Sequence, residues 1–314
     1  MLEATTRKVL VAVAGDEDAT GAIAYAAQEA RRRGCGVHLV SVVHPVATSA
    51  EGASFNILEG MLHSASASAL HQARRQLVRE LGDDVAVTTE VVHGAVVPTL
   101  VSSSDRALVV VLQRQPGRGA RIPTLSVTSG VAGRAHVPVV SVPTGWSGAS
   151  TAGAVLPVLV GLSDPIAGER VVRTALEEAR ARRAPLRVLH TWHFTDHYDD
   201  LVFEGQAGVR HEAQLLADVI ERLRPLLEEY PDVETQVRTQ HAHVADALQA
   251  ASGQTQLLVV GRHRSRIPLG RHLGSTTRAV LREARCPVMV VDPVPAPAGT
   301  AREAQLQHVG GPAT

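Results

Sequence analysis

Short runs of β-branched and aliphatic residues alternate along this chain with longer stretches in which apolar positions recur every three or four residues. That alternation is the mark of a parallel sheet whose strands are joined by crossover helices. In the first half the runs predict strands at Val9 to Val13, Val37 to Val43, Val85 to Val92, Leu108 to Leu112 and Val139 to Val142. Between them the spacing predicts helices near Gly21 to Arg33, Leu62 to Leu81, Pro98 to Ser104 and Ser126 to Ala135. The second half repeats the order, with strands at Val158 to Gly161, Leu186 to His190, Glu234 to Thr239, Leu257 to Val260 and Val288 to Val291. Runs such as LVVV and LLVV have no polar face, so helices must cover both sides of the sheet. Pro45 to Ser68 and Phe194 to Gly208 read as variable connections after the second strand of each half.

Five landmarks recur at one offset of 149 residues: Ala14 and Ser163, Val37 and Leu186, Leu112 and Gly261, Leu125 and Gly274, Pro138 and Pro287. Solenoid repeats run to roughly 20 to 50 residues, so a unit this long is a whole domain, duplicated in tandem. The small, polar stretch TGWSGASTAG is the composition of a flexible joint. The expected organisation is a first domain over 1–143, a linker over 144–153, a second domain over 154–292 and a disordered tail rich in Pro, Ala and Gly over 293–314. The closing strands VPVVSV and CPVMVV can pair edge to edge, making a pseudo-symmetric dimer within one polypeptide, with two such chains able to associate further as a homodimer; pairing of the copies across two chains is the alternative.

Charge narrows the partners. The 31 Lys and Arg balance 31 Asp and Glu, so no overall field draws the chain to nucleic acid or to an anionic membrane. The beginning has no signal-peptide pattern, and nowhere is there an apolar run of about 20 residues. The two cysteines, Cys35 and Cys286, stand at non-equivalent places and suit a reducing compartment as buried small hydrophobes. A soluble cytoplasmic protein is expected.

The candidate chemistry lies late in the chain. Gly261 ends an apolar strand, and thirteen residues later Gly274 and Ser275 open the helical stretch STTRAVLREAR. Strand, loop and helix start form an arrangement that binds phosphate. Glycine admits close approach of main-chain N–H groups, the first helical amides are unsatisfied, and the helix dipole favours negative charge there. Arg262, Arg264, Arg266 and Arg271 lie between, and guanidinium forks match phosphate oxygens. The alternative is a solvated surface loop in which Gly274 marks a turn and Ser275 is an ordinary N-cap. Neither a Walker A sequence nor G-x-G-x-x-G is present in this loop.

The run LLVVGRHRSRIPLGRHLGSTTRAVLREARCPVMVV resembles the end of a universal stress protein domain, whose motif is G-x2-G-x9-G-[ST] before a helix and a closing strand. The likeness extends through both halves, including VLVAVAG with EARRRG and VLVGLSD with EEARARR. It implies two tandem α/β domains of the universal stress type, each a five-stranded mainly parallel sheet with helices on both faces, often dimeric. In many members ATP lies between the first strand and this loop. Carried over, the resemblance places Gly261, Arg262, Gly274, Ser275 and Thr276 around the phosphates, with Arg264 at the position of the middle glycine. Ser163 and Asp164 stand where the family has an aspartate near the adenine. In the first copy the glycine positions hold Leu112, Gln115 and Leu125, with Ser126 retained, and Ala14 and Gly15 follow the first strand. Leucine branches there are expected to fill the phosphate space.

The reading is therefore a stress-response regulator that binds ATP or a related adenine nucleotide in its C-terminal domain only, with magnesium left open. The competing reading is a nucleotide-free dimerisation or interaction module with both clefts degenerate. A true ATPase or phosphotransferase has phosphate contacts but no identifiable catalytic residue. The segment HTWHFTDHYDD, with His190, His193 and His197, offers metal donors but no fixed helical spacing, and reads as a polar loop over the crevice at the carboxyl ends of the strands, with Trp192 and His193 near a ligand. His241 and His243 read as turn residues, and Ser102 to Ser104 lie in no hydrolase elbow.

Overall fold

The computed structural model describes residues 7–15, 18–44, 53–82, 85–114, 126–148, 155–162, 168–192, 206–262 and 273–293. The first half runs β1 (Lys8–Ala12), α1 (Thr20–Arg33), β2 (Val37–Val43), α2 (Ala53–Leu81), β3 (Val87–His93), α3 (Val96–Ser104), β4 (Ala107–Gln113), α4 (Val127–Ala132) and β5 (Val139–Val142). The second runs β6 (Val158–Leu162), α5 (Glu169–Arg182), β7 (Leu186–Trp192), α6 (Gln206–Glu228), β8 (Thr235–His241), α7 (Val244–Ser252), β9 (Leu257–Gly261), α8 (Ser275–Glu283) and β10 (Val288–Val291). The largest departure from the sequence reading is α2, which starts at Ala53, so most of the stretch read as a connection is helix. Its first turns carry Ile57 and Met61 at 64% and 65% exposure, so no buried stripe marks them in the sequence.

The strands form one ten-stranded sheet in the order β3-β2-β1-β4-β5-β10-β9-β6-β7-β8. Every neighbouring pair is parallel except β5 and β10, which are antiparallel. Val140 pairs with Met289, its own counterpart 149 residues on, so the pseudo-two-fold axis passes through that pair. Edge-to-edge pairing of the closing strands within the chain is what joins the domains. Alternate side chains feed two continuous cores: Val11, Val111, Val140, Met289 and Val259 on the face of α1, α2, α5 and α6, and Leu10, Val110, Val139, Val288 and Leu258 on the other.

Register corrects the repeat. Val110 of β4 and Leu258 of β9 occupy equivalent places beside β5 and β10, and they are 148 residues apart. The same holds for Val87 and Thr235 beside β2 and β7. The second copy is one residue shorter between its second and third strands and one longer between the start of α8 and β10, so the N-caps Ser126 and Gly274 also stand 148 apart. Gly261 therefore corresponds to Gln113, and Arg262 to Arg114; the pairing of Gly261 with Leu112 is a one-residue slip.

Beyond the strand pair, two sets of charged groups hold the domains together. On the α1–α5 side, Glu29 and Glu178, again 149 apart, are buried together with Arg182. Arg182 binds Glu178, reaches Glu29 at 3.1 Å and donates to the Tyr25 hydroxyl at 2.8 Å. Arg33 reciprocates by bridging Glu29 and Glu178. Burial alone would raise the Glu29 carboxyl, but Arg182, Arg33 and Arg32 overcome it and hold it at about 2. Glu178 goes the other way, pushed up by its burial against the pull of Arg182.

On the opposite side, each domain's arginine caps a helix of the other. Arg114 donates to the carbonyls of Leu281, at 3.2 Å, and Ala284, at the end of α8. Arg262 donates to Gly133 at 2.8 Å and Ala135 at 3.2 Å, just past α4, and binds Asp292. Guanidinium groups at these ends satisfy terminal carbonyls and oppose the helix dipole.

Removing Arg182 leaves Glu29 and Glu178 buried with only Arg33 shared between them and takes away the one partner of Glu178 within its own domain. Arg182→Met should lower unfolding free energy by about 3–5 kcal/mol in urea titrations, and adding Glu29→Leu and Glu178→Leu should recover most of it. Arg183, at the end of α5, is the one non-glycine residue with positive φ among those described, at 50°, where the first domain has Gly34 at 59°. Arg183→Gly should relieve that left-handed strain and raise Tm by about 2 °C in a calorimetric scan.

Candidate functional site

The carboxyl end of β9 and the start of α8 are drawn together by Thr277, which is buried and donates its hydroxyl to the Gly261 carbonyl at 3.2 Å. Leu273 anchors the approach in the core. Gly274 stands at the N-cap with φ −59° and ψ 160° and brings no side-chain cap. Ser275 is thus the first helical residue rather than the cap, and Thr276 follows it. An Asp, Asn, Ser or Thr oxygen often lies over these amides; in this chain α4 has one, whereas α1, α3, α5 and α7, like α8, have no side-chain cap. Here the first turn has main-chain N–H groups and the positive end of the dipole with no side chain of Gly274 to answer them.

The first domain closes the same place in two ways. Ser126 is a true N-cap, its hydroxyl accepting from the Ser129 amide at 3.1 Å. Gln113, the counterpart of Gly261, spans the end of the sheet: its Oε1 accepts the Ala22 amide of α1 at 2.8 Å and its Nε2 donates to the Val142 carbonyl at 3.2 Å. Leu112 takes no part, because it points into the core on the opposite face. The expectation that leucine fills this space is corrected to glutamine, and the reason is the alternation of side chains along β4.

Gly261 has a packing partner as well. A Cβ there would lie 3.1 Å from Val171 Cγ2 on α5. The matching residues in the first domain are Gln113 and Ala22, so the long side chain faces the small one in one domain and glycine faces valine in the other. Gly261 thus answers to helix packing whatever it does for a ligand.

Arg262 does not extend into the crevice. It is 3% exposed, and its guanidinium binds Asp292 and the carbonyls of the other domain. A phosphate would have to displace these partners to reach it, so Arg262 leaves the candidate set as an inter-domain clamp. Arg264, Arg266, Arg271, Ser163 and Asp164 lie outside the described residues, as do Gln115, Leu125, His193 and His197.

Along the rim, Trp192 stacks on His241, with ring centroids 4.4 Å apart, and meets His211 edge-on at 4.8 Å. His190 bonds the Leu162 carbonyl through Nδ1 at 2.9 Å, tying β7 to β6 rather than facing outward. Among the described residues no group of three or more His, Cys, Asp or Glu is placed to hold a metal ion, and no helix is long and apolar enough to cross a membrane. Cys35 and Cys286 are buried free thiols, and burial pushes Cys286 up to about 12, far from a reactive thiolate.

A sheet of order 3-2-1-4-5 with helices on both faces, doubled across its fifth strand, defines an open α/β fold whose ligand crevice lies at the carboxyl ends of the strands. The chain belongs to the universal stress protein family, whose model matches residues 5–143 and again 156–292. It is 32% identical over 295 residues to a universal stress protein of Mycolicibacterium smegmatis, covering 92% of this chain and 98% of that one. Its fold is similar to that of a universal stress protein from Archaeoglobus fulgidus, with a TM-score of 0.62 at 15% identity over 91% of this chain and 98% of the other. Shorter members have been solved with cAMP and, from Archaeoglobus fulgidus, with dAMP; each covers 44% of this chain, at 21% and 22% identity and TM-scores of 0.34 and 0.30, too weak a likeness to transfer a ligand.

If packing against Val171 is what requires Gly261, then Gly261→Ala should cost about 1 kcal/mol, and Gly261→Ala with Val171→Ala should show a favourable coupling of similar size in a double-mutant cycle. Additive losses would show that the two positions do not meet.

Proposed function

We propose that this tandem universal stress protein binds an adenine nucleotide, ATP or a close relative, in its C-terminal domain, and that the N-terminal domain serves as its fixed partner. The observation that carries the reading is the contrast between the two helix starts. α8 begins at a glycine tethered to the end of β9, whereas α4 is capped by Ser126 and the neighbouring crevice is bridged by Gln113. Phosphate oxygens would accept from the first amides of α8, with the hydroxyls of Ser275 and Thr276 beside them. Arg264 at the middle glycine position would add charge, and Ser163 and Asp164 would stand near the base. On this reading the output is a conformation or a contact rather than turnover.

A second reading, a nucleotide-free interaction module, is favoured by Arg262, whose charge goes to joining the domains, and by the packing reason for Gly261. Titration of the full chain with ATP separates the two. The expected result is one ATP per chain, weakened at least about tenfold by Gly274→Asp, because aspartate at the N-cap answers the same amides and repels phosphate. Ser126→Ala should leave the affinity unchanged. Two ATP per chain would refute the one-domain assignment, equal affinity in Gly274→Asp would refute the loop assignment, and no binding at all would leave the interaction module.

A further inference from the structure

The N-terminal domain contains a groove that the nucleotide reading does not use. It runs between the β1–α1 loop and α2, with a volume of about 1080 Å³. It arises because α2 turns Ala65, Ala69 and Ala73, one per turn, toward that loop, and three methyl groups fill little space. Val13, Ile23 and Val78 add apolar surface to these alanines, and Ser68, Gln72 and Gln76 of α2 add polar surface along the same wall. Gly15 sits close to α2 at Ala65, where an added Cβ would be 3.4 Å from the Ala65 carbonyl carbon, which fixes the upper end. From Ala65 to Arg79 the helix rises about 21 Å.

Charge along the groove is polarised. At the upper end Asp18 accepts both the amide and the hydroxyl of Thr20, at 2.9 and 2.6 Å, and these bonds hold its carboxyl below the usual range, so it stays ionised. At the lower end Arg74, Arg75 and Arg79 line the groove. All three are exposed, and none is within ion-pair distance of a carboxylate among the described residues. The nearby Glu80 is taken by Gln76 at 3.2 Å. A chain of zero net charge thus gathers, at one end of a trough floored by alanines, three guanidiniums with no carboxylate partner among the described residues, Arg79 donating through Nε to the Arg75 carbonyl at 3.4 Å, with a carboxylate at the other end.

We propose that this groove is a second binding site, for an elongated amphipathic anion whose carboxylate or phosphate head lies at Arg74, Arg75 and Arg79 and whose apolar body lies along Ala65 to Ala73. Guanidinium forks accept either head group, and the alanine floor accepts any narrow hydrocarbon or planar body. The site is independent of Gly274 and of the crevice in the second domain.

The test uses the full chain and the fluorescent anion 8-anilinonaphthalene-1-sulfonate, with circular dichroism confirming that each variant stays folded. The dye should bind the native protein and be displaced by oleate or by dodecyl phosphate, the stronger competitor identifying the head group, while inorganic phosphate at equal concentration should not displace it. Arg75→Glu with Arg79→Glu should weaken dye binding at least about tenfold, and Ala69→Trp should abolish it by filling the trough. Saturating ATP and the Gly274→Asp change should leave it untouched. Retention of the dye by both the charge-reversed and the filled variants, displacement by inorganic phosphate alone, or displacement by ATP would each overturn the proposal.

Discussion

The antiparallel pairing of β5 with β10 is the contact on which the rest of the molecule depends, because each strand would otherwise be the open edge of a five-stranded sheet with unpaired main-chain groups. Closing one edge on the other merges two cores into two continuous layers. It also fixes the pseudo-two-fold axis, and every other inter-domain contact follows from that geometry. Arg33 and Arg182 each bridge Glu29 and Glu178 because the axis brings equivalent turns of α1 and α5 together. Arg114 and Arg262 reach each other's helices for the same reason on the opposite face.

Two like charges at a two-fold axis repel, so Glu29 and Glu178 are tolerable only with the guanidiniums that bracket them. Such a cluster adds little to net stability compared with apolar packing, but it penalises any arrangement in which one member is missing. The sheet pairing supplies the attraction, and the charges define which α1 face and which α5 face are brought together. The departures from symmetry are local. Arg262 has Asp292 as a partner where the first domain has Pro143, and burial of Arg114 without a carboxylate pushes its pKa down.

Much of the fold was legible in the sequence because it rests on short-range signals. Strands Val37–Val43, Val139–Val142 and Val288–Val291 have the bounds their apolar runs imply; the duplicated order of elements and the pairing of the closing strands followed from the repeat, and the family from the motif that ends the second copy. The one-residue slip was hidden because a shortening before the third strand and a lengthening before the last strand cancel, so landmarks outside that interval keep a spacing of 149. The beginning of α2 was hidden because its apolar side chains face solvent. Arg262 looked like one of four arginines in a phosphate loop. Yet alternation along β9 turns Gly261 toward α5 and Arg262 toward the far face, where Asp292 follows the neighbouring strand. The E-A-R-x-R pattern at Glu29 and Glu178 was in plain view, but its meaning depends on an axis that no local pattern specifies.

The nine residues of α8 have two custodians. Its beginning is governed by its own domain through Thr277 and Gly261, and its end is gripped by Arg114 from across the axis. A shift at the first turn must either be absorbed as bending within two and a half turns or be delivered to the neighbouring domain through that grip. Because Arg114 hydrogen-bonds Val142 on the joining strand through its amide at 2.7 Å, the displacement would arrive at the seam itself. The short helix is in effect a push-rod with the seam at its far end.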